Sequence, residues 1–337
     1  MAIIAGYDIG GAHLKVARVE HGCLMAVEQF PCPLWQGLDK LDGALGHAGP
    51  LTAGADLHAV TMTGELCELF DSREKGVATL TRYVSEKLGA ATQIFMGLRG
   101  FGDAAAAARD WLSVASANYL ATARAISLRR PNTLLIDFGS TTTDIVICDR
   151  PHGLTDAERL QTGELVYTGL TRTPVPSVTT RALLLGTWQS LARDAFATMA
   201  DVRRIMGELP AGAEVELTSD GRGTGLSESL QRFARGFGRD ADMRHLDVWK
   251  IAAGHVREAQ LRSIIDGITQ VLSRPGANVS GGVVAAGIGA GEAQEIARRM
   301  GLSCITFGEL IEAPAAVRLS ATRCAPACAV ALLAAKW

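Results

Sequence analysis

Two stretches of the chain have the same layout, in which apolar strand-like segments are separated by short polar breaks. The first half opens with three strand-like segments, at Ile3–Ile9, 14–20 and 24–30. The second half opens with three more, at 133–138, 144–148 and roughly 159–167. Short polar or glycine-containing breaks between the segments suit hairpin turns. Each half is therefore predicted to begin with a three-stranded meander.

Alternating helices and strands are predicted after each meander. In the first half these are a strand at Leu57–Met62, a helix at 74–88, a strand at 92–96 and a helix at 104–114. In the second half they are helices at 179–192, 251–272 and 293–300 and strands at Val283–Ala286 and 303–307. Such a repeat predicts two mixed sheets with helices on their faces and a cleft between them. We place the first lobe at 1–130 and the second at 131–314, with 196–247 as an insertion or cap over the cleft.

The composition is that of a globular protein. Hydrophobic residues make up 48% of the 337 residues and charged residues 20%, so either lobe can bury a core. The formal net charge of −2 gives no bulk attraction to nucleic acid or to an anionic membrane. Seven scattered cysteines without a CxxC pair suit a reducing compartment. With no basic leader, and an apolar run at 324–335 too short to span a bilayer, we expect a cytoplasmic protein.

The first meander carries a glycine turn beside an acidic residue. Asp8 ends the first strand and is followed by Gly10 and Gly11. Glycines permit positive φ and let backbone N–H groups approach an anion closely. Lys15 or those N–H groups can meet a phosphate oxygen, and His13 can donate to the same group. A plain β-hairpin is the alternative.

A second turn, at 137–144, has an aspartate at each end. Hydroxyl and N–H groups suit phosphoryl oxygens, and they are supplied here by Gly139, Ser140, Thr141 and Thr142. A carboxylate close to a phosphate repels it unless Mg²⁺ lies between them. Asp137 and Asp144, together with Asp8, therefore predict a Mg²⁺ site beside a bound diphosphate. A polar hairpin without a ligand is the alternative.

Together the two turns resemble the phosphate loops of the sugar kinase, Hsp70 and actin superfamily. The resemblance implies an α/β fold of two ribonuclease-H-like lobes around a central cleft, with a C-terminal helix at 315–337 returning to the first lobe. It also implies a glycine-rich adenosine loop, for which the candidate is 284–292 with Gly287 and Gly289 as ligand contacts. This loop lacks the usual paired glycines and polar adenine contact, so ATP is not expected.

Longer stretches narrow the resemblance. Residues 136–145 are similar to the hydantoinase and oxoprolinase relatives within that superfamily. Five motifs in the same order resemble the methanofuran-biosynthesis synthase family of methanogens and its counterparts in methylotrophic bacteria, linked to tetrahydromethanopterin-dependent C1 transfer. They lie at 8–15, 61–66, 163–169, 172–174 and 218–222.

That family resemblance implies a transferase. It joins a phenol to an aminomethylfuran carried as its diphosphate, forming an aryl ether and releasing pyrophosphate during methanofuran or methylofuran synthesis. We expect the two acidic turns and Mg²⁺ to meet the charge of the departing diphosphate. The expected partners are the furan diphosphate and a phenolic acceptor with a tyramine or tyrosine unit.

Two more residues are candidates for the site. Glu65 follows the strand Leu57–Met62 and is expected to face the cleft, where it can accept the phenol proton or steady a cationic centre. A solvated helix-start carboxylate explains it as well. Arg172 can clamp a phosphate or a substrate carboxylate. A surface arginine is the alternative.

Two other function classes remain open from the sequence. One is an ATP-dependent kinase or amidohydrolase on the same fold, and the other is a non-catalytic nucleotide sensor. The incomplete adenosine loop disfavours both. The sequence is compatible with a homo-oligomer.

Overall fold

Two mixed β-sheets form the framework of the computed structural model, which describes residues 2–213 and 218–336. The strands are β1 (Ile3–Ile9), β2 (His13–Glu20), β3 (Cys23–Pro31), β4 (Leu57–Met62), β5 (Thr92–Phe95), β6 (Phe101–Gly102), β7 (Leu134–Phe138), β8 (Thr143–Ile147), β9 (Leu165–Val166), β10 (Arg181–Leu184), β11 (Thr187–Ser190), β12 (Val283–Ala286) and β13 (Cys304–Thr306). The α-helices are α1 (Leu38–Thr52), α2 (Arg73–Leu88), α3 (Ala104–Arg109), α4 (Trp111–Val114), α5 (Asn118–Ser127), α6 (Asp156–Thr162), α7 (Val175–Val178), α8 (Met199–Met206), α9 (Leu226–Arg235), α10 (Leu246–Leu272), α11 (Ala290–Arg299), α12 (Phe307–Leu310), α13 (Arg318–Arg323) and α14 (Ala325–Ala334).

Both sheets have the same strand order. In the first, the antiparallel meander β3-β2-β1 is extended by the parallel strands β4 and β5, with β6 at the edge. In the second, the meander is β9-β8-β7 and the parallel extension is β12 and β13. This repeat confirms the predicted α/β fold of two ribonuclease-H-like lobes. The two lobes also agree in strand register: Asp8 lies opposite Lys15 in the first hairpin, and Asp137 lies opposite Asp144 in the second.

The predicted helix at 179–192 is wrong. These residues form the antiparallel hairpin β10-β11. Its two-residue turn is Leu185-Gly186, and both residues have positive φ, 52° and 74°. Such a turn matches the twist of the two strands. Turn geometry therefore overrides the local apolar run that suggested a helix.

The predicted third strand at 159–167 is mostly wrong as well. Thr155 and Glu158 form a capping box that begins α6, and Gly163 ends the helix in the left-handed conformation. Only Leu165–Val166 pairs with β8. The predicted helix at 104–114 is divided at Asp110, where α3 ends and α4 begins.

Helix α14 packs directly on the first sheet. It contacts β1, β2 and β4 and lies beside α5. Its alanines allow a close approach: a Cβ placed on Gly6 of β1 would lie 2.2 Å from the Ala327 carbonyl oxygen and 2.7 Å from the Ala331 Cβ. The glycine in β1 and the small residues of α14 therefore fit one another.

The segment 196–247 contains two helices, α8 and α9, and its described residues are 196–213 and 218–247. The buried Arg232 of α9 donates to Asp201 of α8 and to Asp220. The 218–222 motif therefore ties a loop to these helices. Between α8 and α9, the Ala211 carbonyl accepts from Arg323 of α13 at 2.9 Å.

No single helix among the described residues is long and apolar enough to cross a membrane. The segments Ala315–Arg323 and Ala325–Ala334 are long and apolar enough only when taken together, and the angle between them is 106°.

We predict that Gly6→Ala destabilises the first lobe. The added methyl group overlaps the backbone of α14, so the free energy of unfolding should fall by about 1–3 kcal/mol. Urea denaturation measures the change. Gly46→Ala is the matched control, because a Cβ there meets nothing within 4 Å and an alanine suits the helix. Equal stability of the Gly6→Ala variant and the wild type would contradict the close packing of α14.

Candidate active site

A cavity of about 510 Å³ lies between the turns that follow β1 and β7. We call it the central cavity. Most of the predicted site residues line it: Gly10, Gly11, His13, Lys15, Asp137, Gly139, Ser140, Thr141, Thr142, Asp144, Arg172 and Gly287. The predicted residues Asp8, Glu65 and Gly289 are not among its lining residues.

The two turns have the same backbone geometry. The Gly10 N–H donates to the His13 carbonyl and the Gly139 N–H to the Thr142 carbonyl, each at 2.9 Å. A Cβ on either glycine would lie only 3.0 or 3.2 Å from the carbonyl oxygen that its own N–H reaches. Equivalent tight turns from the two lobes therefore border one cavity.

The segment 169–172 supports the second turn. A Cβ on Gly169 would lie 2.2 Å from the Ser140 carbonyl, so only glycine allows this approach. The Leu170 N–H donates to Gly139, and the Arg172 N–H donates to Ser140 at 3.0 Å. The 163–169 motif thus packs behind the turn and brings Arg172 to the cavity wall.

Asp8 lies behind the first turn. It is 1% exposed, and its Oδ2 accepts from Lys15 Nζ at 3.1 Å. Its Oδ1 is buried with no hydrogen-bond partner among the described residues. Burial opposes the charge on Lys15, but the charge and hydrogen bond of Asp8, together with the charges of Cys324 and Asp137, raise the pKa of Lys15. The first turn therefore presents a firmly charged lysine to the cavity.

Asp137 faces Asp144 across the strand pair β7-β8. Burial, followed by the charge of Asp144, raises the pKa of Asp137 to about 7. Burial also raises the pKa of Asp144, although Arg159 donates to that carboxylate and counters the shift. A carboxylate with raised proton affinity is a hard oxygen donor that also favours a cation.

The donor set fits Mg²⁺ bound together with phosphate oxygens. Over residues 2–213 and 218–336, no three His, Cys, Asp or Glu side chains converge as a metal cluster. Mg²⁺ retains several waters and takes one or two carboxylates beside a substrate phosphate. The unpartnered Asp8 Oδ1 and the high proton affinity of Asp137 suit such a site. Asp144 suits it less, because Arg159 already pairs with it.

Glu65 does not face the cleft, which corrects that expectation. It is 1% exposed, because the turn Gly64–Leu66 packs tightly on Gly76 of α2. Its Oε1 accepts from Ser116 Oγ at 3.0 Å and from Arg73 Nη2 at 3.2 Å. Burial raises the pKa of Glu65, while the charge of Arg73 lowers it. Ser116, rather than Glu65, lines the cavity.

Sequence reasoning missed a charged network that joins the two lobes. Arg73 contacts Asp156 at 3.3 Å, and Ser116 Oγ lies 3.2 Å from the same carboxylate. Arg159 contacts Asp156 at 3.6 Å and pairs with Asp144. The Arg159 guanidinium also lies 3.5 Å over the ring of Tyr119. The sequence offers one signal for part of this network, the capping box of α6. It predicts a helix on which Asp156 and Arg159, three residues apart, share a face.

His13 is a neutral group in this site. Burial, then the charges of Lys15 and Arg172, lowers its pKa to about 4. At neutral pH it can donate one hydrogen bond and accept another, but it carries no positive charge. Its predicted role as a donor therefore remains chemically sound.

The two candidate glycines of the loop after β12 lie in different environments. Gly287, at φ 81°, lines the cavity and packs on the Phe138 carbonyl and Asp137. Gly289 donates to the Phe138 carbonyl at 2.8 Å, and a Cβ on it would lie 2.6 Å from the Phe138 ring. Gly289 is therefore a packing position behind β7.

Exposed apolar side chains also line the cavity. They are Trp35, Leu66 and Tyr167, with 42%, 52% and 66% of their surface exposed. Trp35 and Leu66 belong to the first lobe, and Tyr167 follows β9 in the second. The cavity thus combines two tight glycine turns with an uncovered aromatic wall.

Two curated relatives carry the same name, (4-{4-[2-(gamma-L-glutamylamino)ethyl]phenoxymethyl}furan-2-yl)methanamine synthase. The protein from Methanocaldococcus jannaschii is 29% identical over 72% of this chain and 73% of its own length. The protein from Methanococcus vannielii is 32% identical over 31% of this chain and 48% of its own. These names support an enzyme of the transferase or ligase kind and confirm the resemblance to methanofuran-biosynthesis synthases.

Among solved structures, a ROK family glucokinase from Streptomyces griseus in complex with glucose and AMPPNP aligns with a TM-score of 0.49 at 14% identity, over 99% of this chain and 100% of its own. The hydantoinase/oxoprolinase family matches residues 56–336, which include most of both lobes. The chain therefore belongs to the hydantoinase/oxoprolinase family.

Proposed function

We propose that this protein transfers an aminomethylfuranylmethyl group from its diphosphate to the phenol oxygen of a tyramine- or tyrosine-containing acceptor. Pyrophosphate leaves, and the product is an aryl ether of the methanofuran or methylofuran type. The observation that carries the proposal is one cavity holding two tight turns, cationic side chains and an exposed aromatic wall. The name shared by the two relatives describes a phenoxymethylfuran product, which supports the same chemistry.

The turns and cations favour departure of the diphosphate. Lys15 and Arg172 line the cavity with the hydroxyls of Ser140, Thr141 and Thr142. Fixed donors aimed at developing negative charge lower the barrier to its formation. Mg²⁺ held by Asp137 and Asp8 would supply further positive charge to the bound diphosphate. The furanylmethyl centre shares its growing positive charge with the ring oxygen, so ionisation is feasible.

The N-terminus of helix α11 does not favour binding of a nucleotide phosphate. Glu292 lies in its first turn, where an anion would otherwise bind. Arg257 Nη2 pairs with Glu292 at 2.6 Å, and the buried Arg203 pairs with it as well. A carboxylate already neutralised by two arginines occupies this position. We therefore propose that ATP is not a substrate.

The aromatic wall suits the acceptor. Phenol and furan rings are flat and apolar, and Trp35 and Tyr167 offer exposed faces within the cavity. Because His13 is neutral, the positive charges near it in the cavity are those of Lys15 and Arg172. An acceptor with a glutamyl carboxylate can then pair with an arginine at the cavity wall.

The deciding experiment combines the furan diphosphate with γ-glutamyltyramine or a tyrosine-containing acceptor. Pyrophosphate and the ether should form together and should be followed by mass spectrometry and a phosphate assay. Mg²⁺ removal with EDTA should stop both. If neither product forms but ATP is consumed with some acceptor, the kinase or amidohydrolase alternative replaces this proposal.

Asp137→Asn should abolish turnover and yet stabilise the ligand-free protein above pH 7. The folded pKa of about 7 lies above the ordinary 3.8, so the folded state binds a proton that the unfolded chain releases. Stability therefore falls as pH rises from about 4 to about 7, and asparagine removes a penalty on the order of 2–4 kcal/mol. Melting temperatures at pH 5 and pH 8 measure it. The exposed Asp266→Asn should change neither property, and a less stable Asp137→Asn protein at pH 8 would contradict the assignment.

Replacing the aromatic wall should weaken acceptor binding selectively. Tyr167→Ala and Trp35→Ala remove ring contacts, so the KM for the acceptor should rise about tenfold while the Kd for the furan diphosphate changes little. Trp188→Ala is the control, because Trp188 is 51% exposed and does not line the cavity. A larger effect on diphosphate binding than on the acceptor KM would reassign these residues to the donor.

A further inference from the structure

Ser116 occupies an uncommon backbone conformation at the wall of the central cavity. Its φ is 52°, in the left-handed region, although it has a side chain. A non-glycine residue there is strained, and such strain often accompanies function. Ser116 is 7% exposed and lines the cavity.

The Ser116 hydroxyl has three charged partners. Its Oγ accepts from Arg73 Nη2 at 2.8 Å and lies 3.0 Å from Glu65 Oε1 and 3.2 Å from Asp156 Oδ2. A hydroxyl has one proton and two lone pairs. The proton goes to one carboxylate, and Arg73 uses one lone pair. The second lone pair faces Asp156 Oδ2, the longest of the three contacts, and Asp156 itself lines the cavity, so an acceptor hydroxyl that displaces this carboxylate oxygen can donate to Ser116 Oγ.

The surroundings favour Glu65 as the final proton acceptor. Its side chain is fully buried, and its Oε2 has no hydrogen-bond partner among the described residues. Asp156 already faces two guanidinium groups, those of Arg73 and Arg159. The cavity-lining Cys67 and Glu68 are the other titratable groups next to this wall. Burial raises the pKa of Glu65, which helps it to hold a proton.

We propose that Ser116 relays the phenol proton of the acceptor to Glu65. This inference rests on the proposed function. The phenol oxygen bonds to the furanylmethyl carbon as the bond from that carbon to the diphosphate oxygen breaks, and the electron pair leaves with pyrophosphate. The phenol proton passes to Ser116 Oγ, and the serine proton passes to Glu65 Oε1. After the product leaves, Glu65 returns its proton through Ser116 Oγ to water in the cavity.

The relay explains how a buried carboxylate takes part in capture. A phenol has a pKa of about 10, so a carboxylate is a weak base for it until the oxygen begins to bond to carbon. The proton then becomes strongly acidic and needs a path out of the cavity. Ser116 supplies that path, because Ser116 lines the cavity and Glu65 does not.

Ser116→Gly separates a relay from a structural role. Glycine adopts positive φ without strain, which offsets part of the cost of losing the hydroxyl's contacts with Arg73, Glu65 and Asp156, so the melting temperature should fall by only a few degrees and the protein should stay folded. The rate of ether formation at pH 7 should fall by about 10²-fold or more, the usual contribution of positioned proton transfer. The Kd for the furan diphosphate should not change. Leu185→Gly is the matched control: it relieves a positive φ of 52° outside the cavity, and its rate should equal that of the wild type.

Two further readouts test the chemistry. In Ser116→Gly the rate should rise about tenfold per pH unit from pH 7 to 9, because solvent must then supply the phenolate, whereas the wild-type rate should be nearly flat. Glu65→Gln should cause a similar loss, and combining it with Ser116→Gly should add little, because one relay cannot be broken twice.

Three outcomes overturn the relay while leaving the transferase intact. They are a wild-type rate in Ser116→Gly, a parallel pH profile in the variant and wild type, and multiplied losses in the double variant. A wild-type protein that binds the furan diphosphate but forms no ether overturns the proposed function, and the relay with it.

Discussion

The contact between Asp144 and Arg159 is the interaction on which the site depends. Asp137 and Asp144 are opposed in one strand pair, so a buried carboxylate and a half-buried one are forced together by register. Arg159 neutralises one of them and is itself held by the ring of Tyr119 and by Asp156. One carboxylate is thus satisfied, and the other keeps its affinity for a proton or a cation. Removing Arg159 would leave a buried charge without a partner, which is costly in any fold.

Close backbone approach is the second constraint. Gly169 lets one segment lie against the second glycine turn, at 139–142, and Gly287 lets the loop after β12 lie against Asp137. Neither position tolerates a Cβ without displacing main chain. The shape of the cavity is therefore set by glycines that have no chemistry of their own. The lining side chains can vary only within the space that these backbones define.

The sequence was most informative where short, mostly apolar runs form whole strands that are buried on both faces of a sheet. The segments Ile3–Ile9, Leu57–Met62 and Val283–Ala286 have their predicted bounds, since strands buried in a sheet have few other options. The hairpin β10-β11 was missed, because its identity depends on a turn in which leucine adopts positive φ. Asp137, Gly139 and their neighbours were found by local spacing. Arg73, Ser116 and Asp156 were not, because they meet only through tertiary packing, and the capping box of α6 predicts a helix at Asp156 but none of its partners.

Helix α14 has a consequence for the order in which the protein acquires its structure. The strand it covers, β1, precedes the whole second lobe in the chain, whereas α14 follows that lobe. During synthesis, one face of the first sheet therefore stays exposed until the second lobe has been made. Contacts so distant in sequence slow folding, because a long loop must close before they form. Until they form, the exposed face of the first sheet is a surface that chaperones would recognise, and completion of the first lobe depends on residues made after the second lobe.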